Sequence, residues 1–204
     1  MIGYERTRKM TRRISIKAIV ITAIAAAMAG PAVGGLTFYH TITGEDLKIP
    51  DSAPPEGRDT PGAKSFLETG INPYIEVAAC LHEGEQTYLA SRSGCHGHLA
   101  EGKVGPGLND AYWTYPKNKT DKGLFETIYG GAQGMMGPHN DLKLDEALKL
   151  MAWIRHLYTG DVQEAEWLSE EQKAKYKPYV EQKHGNGGEA TKVASAEACQ
   201  PSGN

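Results

Sequence analysis

Cysteine is scarce in this sequence, which has three cysteines in 204 residues. That number is too small for a disulfide scaffold, and the length suits one domain with extensions around a single hydrophobic core. Glycine and proline are frequent, at 24 and 11 residues, and the mean hydropathy is −0.47. This composition predicts a loop-rich protein rather than a compact helical bundle.

The sequence also lacks an apolar run near its start that is long enough to span a membrane. The apolar residues 18–28 follow six basic residues, and glycine and proline interrupt them before the roughly 20 residues that a span requires. Ala-Met-Ala at residues 27–29 has the small-x-small pattern of a cleavage site. We therefore expect residues 1–29 to be a cleaved signal peptide. The alternative is an uncleaved membrane anchor.

Once this segment is removed, acidic residues clearly outnumber basic residues. Residues 1–29 hold six basic residues and one acidic residue, so cleavage changes the net charge from −3 to −8. Such a protein is not expected to bind nucleic acid or an anionic membrane. The negative charge either speeds docking to a basic patch on a protein partner or serves only solubility.

Residues 91–97, Ser-Arg-Ser-Gly-Cys-His-Gly, contain most of a c-type haem attachment site. Such sites have the form C-x-x-C-H, in which two thiols bond to the haem vinyl groups and the histidine ligates the iron. Cys95 and His96 are present, but Arg92 occupies the position of the first cysteine. At most one thioether is therefore expected, and a Cys-His pair alone is weak evidence for haem.

A second axial ligand is available about forty residues further on. The loop at residues 134–139, Gly-Met-Met-Gly-Pro-His, offers Met135, Met136 and His139. A methionine thioether favours ferrous iron, and small residues let the backbone approach a flat macrocycle. The alternative is that the methionines fill gaps in the core.

Pro106 lies in a Gly-Pro-Gly turn ten residues after His96. An iron-bound imidazole commonly donates its second N–H to a backbone carbonyl, which fixes the ring plane. The Pro106 carbonyl is suited to that role, unless the segment is a simple turn.

Apolar residues at steps of three and four predict helices around these motifs. Gly84 marks either a break or a close contact. The predicted helices are residues 83–91, 121–129, 144–158 and 167–178. We divide the remaining chain into an irregular N-terminal arm (36–74), a central domain (75–160) and a C-terminal extension (161–204).

Together these features resemble the class I c-type cytochromes and, more closely, the cytochrome cL family. The similarity covers roughly residues 36–180, and its most specific segments are 94–103, 105–110, 112–116, 130–131, 134–140 and 151–160. The resemblance implies an all-α class I cytochrome c fold with long irregular N- and C-terminal extensions.

The resemblance also implies roles for the motif residues. His96 would be the proximal iron ligand, Met136 the distal one, and Cys95 would bond to a vinyl group of haem c. Met136 is preferred to His139 because the family loop reads Met-Gly-Pro-His from the ligand onward.

Other roles follow from the same resemblance. Trp113 and Tyr115 would reach the haem propionates, unless they only pack over the macrocycle edge. Calcium near the propionates is a further expectation, although no carboxylate cluster in the sequence identifies its ligands.

Cys80 and Cys199 are the two remaining cysteines. In an oxidising periplasm free thiols are not expected to persist, so we predict a disulfide that joins the C-terminal tail to the first helix of the domain. The alternative is two unpaired cysteines.

The function implied by the resemblance is that of a periplasmic electron carrier and not an enzyme. It would accept electrons from quinoprotein methanol dehydrogenase, pass them to a smaller cytochrome c, and have no membrane attachment after signal cleavage. One alternative is a carrier for another periplasmic quinoprotein alcohol dehydrogenase. The other is a haem-deficient docking protein, which Arg92 favours.

Overall fold

A computed structural model describes residues 35–179 and 199–201. The predicted signal peptide at residues 1–29 lies outside this part of the chain, as does most of the C-terminal tail. None of the helices in the described ranges is both long and apolar enough to cross a membrane.

The described backbone is helical, and its β pairing is limited to an isolated bridge between Tyr39 and Asp46. This agrees with the predicted all-α class. The α-helices are α1 (Ile49–Ser52), α2 (Pro61–Thr69), α3 (Ala78–Ser91), α4 (Ser93–His96), α5 (Asp121–Gly130), α6 (Leu144–His156) and α7 (Glu170–Lys175), with 3₁₀ turns at Pro116–Lys119 and Val162–Glu164.

Helices α3 and α6 form the most extensive helix–helix contact among the described residues. Gly84 makes it possible, because a Cβ atom there would lie 2.1 Å from the Lys149 carbonyl oxygen of α6. Gly84 therefore marks a close contact inside a continuous helix. The predicted start at residue 83 was too late, since α3 begins at Ala78.

Helix α6 supplies much of the core. Its apolar face, predicted from the spacing of residues 144–158, is at most 2% exposed at Leu144, Leu148 and Met151. Burial of each such side chain contributes about 1.5–3 kcal/mol to folding. The helix ends at His156, two residues before the predicted end.

The N-terminal arm contains two helices, α1 and α2, that the prediction of irregular backbone missed. Thr60 caps α2 by accepting a hydrogen bond from the Ala63 backbone N–H at 3.2 Å, and Gly70 ends it with a φ of 73°. The Phe66 ring lies 4.9 Å from that of Phe125 on α5. These contacts bind the arm to the core by apolar packing.

The C-terminal extension is tied to the domain at two places. A disulfide joins Cys80 on α3 to Cys199, which confirms the predicted pairing. The predicted helix at residues 167–178 is shorter in the structure, because Ser169 and Gln172 form a capping box that starts α7 at Glu170. The Trp167 ring instead packs edge-on against Tyr158 at 4.8 Å.

Candidate functional site

A cavity of about 390 Å³ lies between α4, α5 and the loops that follow them. Its volume falls in the range of small-molecule and cofactor sites, and its walls are mostly apolar. Two lining side chains, Val104 and Met135, are 63% and 85% exposed. One edge of a bound group would therefore be accessible from outside.

His96 forms one wall of the cavity. Helix α4 delivers its ring, which is buried, and Nδ1 lies 2.8 Å from the Pro106 carbonyl oxygen. Because the Pro106 carbonyl can only accept a hydrogen bond, Nδ1 is the donor, and Nε2 is the nitrogen left to ligate a metal. This is the hydrogen bond expected from the sequence, and it prepares His96 as a ligand through Nε2.

The turn that carries Pro106 lies unusually close to His96. A Cβ atom on Gly105 would be 2.7 Å from Cε1 of the imidazole, so only glycine fits there. The Gly105 N–H donates to the Cys95 carbonyl at 2.8 Å, and the Gly102 N–H donates to the His96 carbonyl at 2.7 Å. These bonds fix the loop against α4 and hold the imidazole in one orientation.

The loop after α5 also lines the cavity. The Ala132 N–H donates to the Met136 carbonyl at 2.9 Å and closes a tight turn. Gly131 has a φ of 84°, and a Cβ there would be 2.8 Å from the Pro138 nitrogen. Met136 is half-buried and packs against the core, whereas Met135 is 85% exposed. This difference favours Met136 as the inward-facing sulfur.

His139 also lines the cavity and remains the alternative to Met136. Its backbone N–H donates to the Ile128 carbonyl of α5 at 3.2 Å, which anchors the end of the loop. Burial lowers the pKa of His139, the charge of Arg92 lowers it further, and Asp141 opposes both. The imidazole is therefore held in its neutral form, which is the form that binds metals.

Trp113 and Tyr115 lie two residues apart and both line the cavity, but they make different contacts. The Tyr115 hydroxyl accepts a hydrogen bond from the Gln133 N–H at 3.0 Å and so holds the loop that carries Met136. The Trp113 side chain is buried, and its ring faces the Arg155 guanidinium at 5.0 Å.

A buried ion pair behind Trp113 was not predicted from the sequence. Arg155 donates through Nε to Asp121 at 3.1 Å and through Nη2 to the Asn118 carbonyl at 2.8 Å. Burial raises the pKa of Asp121 and lowers that of Arg155, and their attraction opposes both shifts. Asn118 also lines the cavity, so the ion pair supports its wall.

Arg92 and Cys95, the two positions of the attachment sequence, both line the cavity. The Cys95 thiol is free and exposed. Arg92 is 7% exposed, and its Nη1 donates to the Ser91 carbonyl at 3.1 Å. Its Nε and Nη2 are buried without a hydrogen-bond partner. The guanidinium thus lies in the wall and does not turn out to solvent.

The described part of the chain contains no set of ligands for the calcium that the resemblance implied. No group of three or more His, Cys, Asp or Glu side chains there could hold a metal ion. The cavity itself is lined by the imidazoles of His96 and His139, the thioethers of Met135 and Met136, and the Cys95 thiol.

No family model matches the sequence. It is 56% identical to cytochrome c-L of Methylorubrum extorquens over 167 residues, which cover 81% of this chain and 84% of that protein.

Two crystal structures are similar to this fold. The structure of cytochrome cL from Hyphomicrobium denitrificans matches with a TM-score of 0.67 and 64% identity, covering 72% of this chain and 88% of that one. The structure from Methylophaga aminisulfidivorans matches with a TM-score of 0.68 and 50% identity, covering 72% of this chain and 98% of that one.

Proposed function

The chain belongs to the cytochrome cL family, and we propose on that premise that it is a periplasmic electron carrier. It accepts electrons one at a time from a quinoprotein methanol dehydrogenase and passes them to a smaller cytochrome c. Members of this family are cytochromes that carry haem c, and they transfer electrons rather than catalyse reactions on substrates.

The cavity between His96 and Met136 is the observation that supports this proposal most directly. The residues present fit haem c: a buried imidazole whose Nδ1 bonds to Pro106, a half-buried thioether in the same cavity, apolar walls, and the exposed Cys95 thiol. His96 and Met136 would hold the iron, and Cys95 would hold one vinyl group. When bound, the haem supplies a one-electron couple.

The surrounding protein residues would then fix the orientation of the ligands and exclude water from the site. Pro106 fixes the imidazole tautomer and plane, which increases the basicity of Nε2. Tyr115 fixes the loop that presents Met136, whose sulfur favours the reduced iron. If both His96 and Met136 held the iron, no coordination position would remain for a substrate, which suits a carrier.

Optical and kinetic measurements on the mature protein test the proposal. We expect a Soret band, a mass that includes one haem, and rapid reduction by purified methanol dehydrogenase with methanol. A parallel assay with a lanthanide-dependent quinoprotein alcohol dehydrogenase distinguishes the alternative donor. Reduction by neither dehydrogenase would contradict the proposal.

Ligand variants test the site assignment separately. Met136→Ala should abolish the absorption band of a methionine-ligated ferric haem, whereas His139→Ala should leave it unchanged. A natural protein that lacks this band, with a spectrum that His139→Ala changes and Met136→Ala does not, would assign the distal position to His139.

A second candidate function, a haem-deficient docking protein, is favoured by one observation. The buried Arg92 side chain occupies the wall where a first thioether would form. We expect lower haem loading in the natural protein than in Arg92→Cys when both are matured by the same attachment machinery. A natural protein without haem that still binds the dehydrogenase would support this second candidate.

A further inference from the structure

Arg92 is a buried positive charge that the surrounding protein does not neutralise. Its side chain is 7% exposed, and two of its three guanidinium nitrogens, Nε and Nη2, have no hydrogen-bond partner. The third nitrogen donates to the carbonyl of the neighbouring Ser91, which is a neutral acceptor. Asp141 attracts the charge but does not hydrogen-bond to Nε or Nη2.

If the Arg92 side chain served packing alone, its unpaired donors would only destabilise the fold. A buried donor without an acceptor costs about 1–3 kcal/mol, and an apolar side chain of similar length would avoid that cost. The same guanidinium lines the cavity together with His96 and Met136. The charge therefore acts on whatever occupies the cavity.

We propose that Arg92 raises the reduction potential of the iron held between His96 and Met136. This inference rests on the proposed function, because it requires haem in the cavity. In this role Arg92 acts on the iron through its charge and does not ligate it. This effect is separate from the loss of a thioether, which the arginine also causes at the same position.

The direction of the effect follows from charge. The ferric site is one unit more positive than the ferrous site, and reduction adds one electron from the donor without breaking a bond. A fixed cation in the wall raises the energy of the ferric state more than that of the ferrous state, so it favours reduction. Burial of Arg92 limits screening by water and salt, which keeps the effect present at physiological ionic strength.

Spectroelectrochemistry of the haem-loaded full chain tests the inference. Arg92→Gln and Arg92→Met both remove the charge, and Arg92→Lys retains it. At one applied potential, we expect the ratio of reduced to oxidised protein to fall about three- to tenfold in the two neutral variants, where tenfold equals about 59 mV for one electron. The lysine variant should stay within about twofold of the natural protein, and 0.5 M salt should not remove the difference.

Arg58→Gln is the matched control. Arg58 donates to the Pro50 carbonyl at 3.0 Å in the N-terminal arm and does not line the cavity, so its removal makes the same chemical change elsewhere. Its potential should equal that of the natural protein.

The outcomes separate the inference from the proposed function. Haem-loaded Arg92→Gln and Arg92→Met with unchanged potentials would overturn the inference and leave the electron-carrier proposal intact. A natural chain that contains no haem would contradict the proposed function, and the inference would fail with it.

Discussion

Two arginines are buried in the described part of the chain, and their surroundings differ sharply. Arg155 is 1% exposed, bonds to Asp121 and to the Asn118 carbonyl, and lies 4.0 Å from the centre of the Trp167 ring. Arg92 is almost as deeply buried but has one hydrogen bond, to the carbonyl of the preceding residue.

This difference distinguishes Arg155, whose charge is paired within the fold, from Arg92, whose charge acts on the cavity. A buried charge is stable when an opposite charge and hydrogen bonds replace the lost water. Arg155 meets that condition through Asp121 and the Asn118 carbonyl, which leaves Nη1 as its one guanidinium nitrogen without a partner, and it joins α6 to α5. Arg92 does not meet it and faces the cavity, which is where an uncompensated charge has a functional consequence.

The largest effect is expected from breaking the compensated pair. Arg155→Met leaves Asp121 buried without its partner, so we expect the haem-loaded protein to lose about 3–5 kcal/mol of unfolding free energy. Guanidinium chloride unfolding followed by circular dichroism and by the Soret band measures this loss. The double variant Arg155→Met/Asp121→Leu should recover much of it. A loss below about 1 kcal/mol in the single variant would show that the pair contributes little.

A smaller effect of the opposite sign is expected at the other arginine. Arg92→Met removes two donors that lack acceptors, so the unfolding free energy should stay unchanged or rise by up to about 3 kcal/mol. The gain in unfolding free energy should be larger in the ferric state than in the ferrous state. The reason is that ferric iron repels the Arg92 charge of the natural protein more strongly, and the substitution removes that repulsion. A loss similar to that of Arg155→Met would mean that Arg92 has a stabilising partner in the loaded protein.

The same contrast explains what could be predicted from the sequence. His96, Pro106 and Met136 could be proposed from the sequence because they lie in short local patterns with a known chemistry, and all three line one cavity. Asp121 and Arg155, in contrast, are 34 residues apart, and nothing in either local segment indicates that the two side chains meet.

Secondary structure was missed where composition concealed a local signal. The prolines and glycines of the N-terminal arm indicated irregular backbone, yet Thr60 followed by Pro61 is a helix-start sequence that could have identified α2. The burial of Arg92 could not have been predicted, since arginine is seldom buried without a partner.

The smallest effect is expected at Glu126, whose charge is compensated by two lysines that are partly exposed to water. Glu126 accepts hydrogen bonds from Lys117 at 2.7 Å, from Lys122, and from the Tyr39 N–H of the N-terminal arm at 2.9 Å. Burial acts to raise the pKa of Glu126, but these bonds outweigh it and hold the pKa below its ordinary value. Because the folded-state pKa is depressed, the stabilisation is present above the unfolded pKa of about 4.3 and is lost as the pH falls through the folded pKa.

Glu126→Gln should therefore cost about 1 kcal/mol of unfolding free energy at pH 7, since both lysines are partly exposed. The difference between variant and natural protein should hold down to about pH 5 and shrink at more acidic pH. Glu166→Gln is the control, because Glu166 is 55% exposed and lies 3.8 Å from Lys119, so its removal should have no measurable effect. A difference that is independent of pH down to pH 2 would show that Glu126 stabilises the arm by its shape and not by its charge.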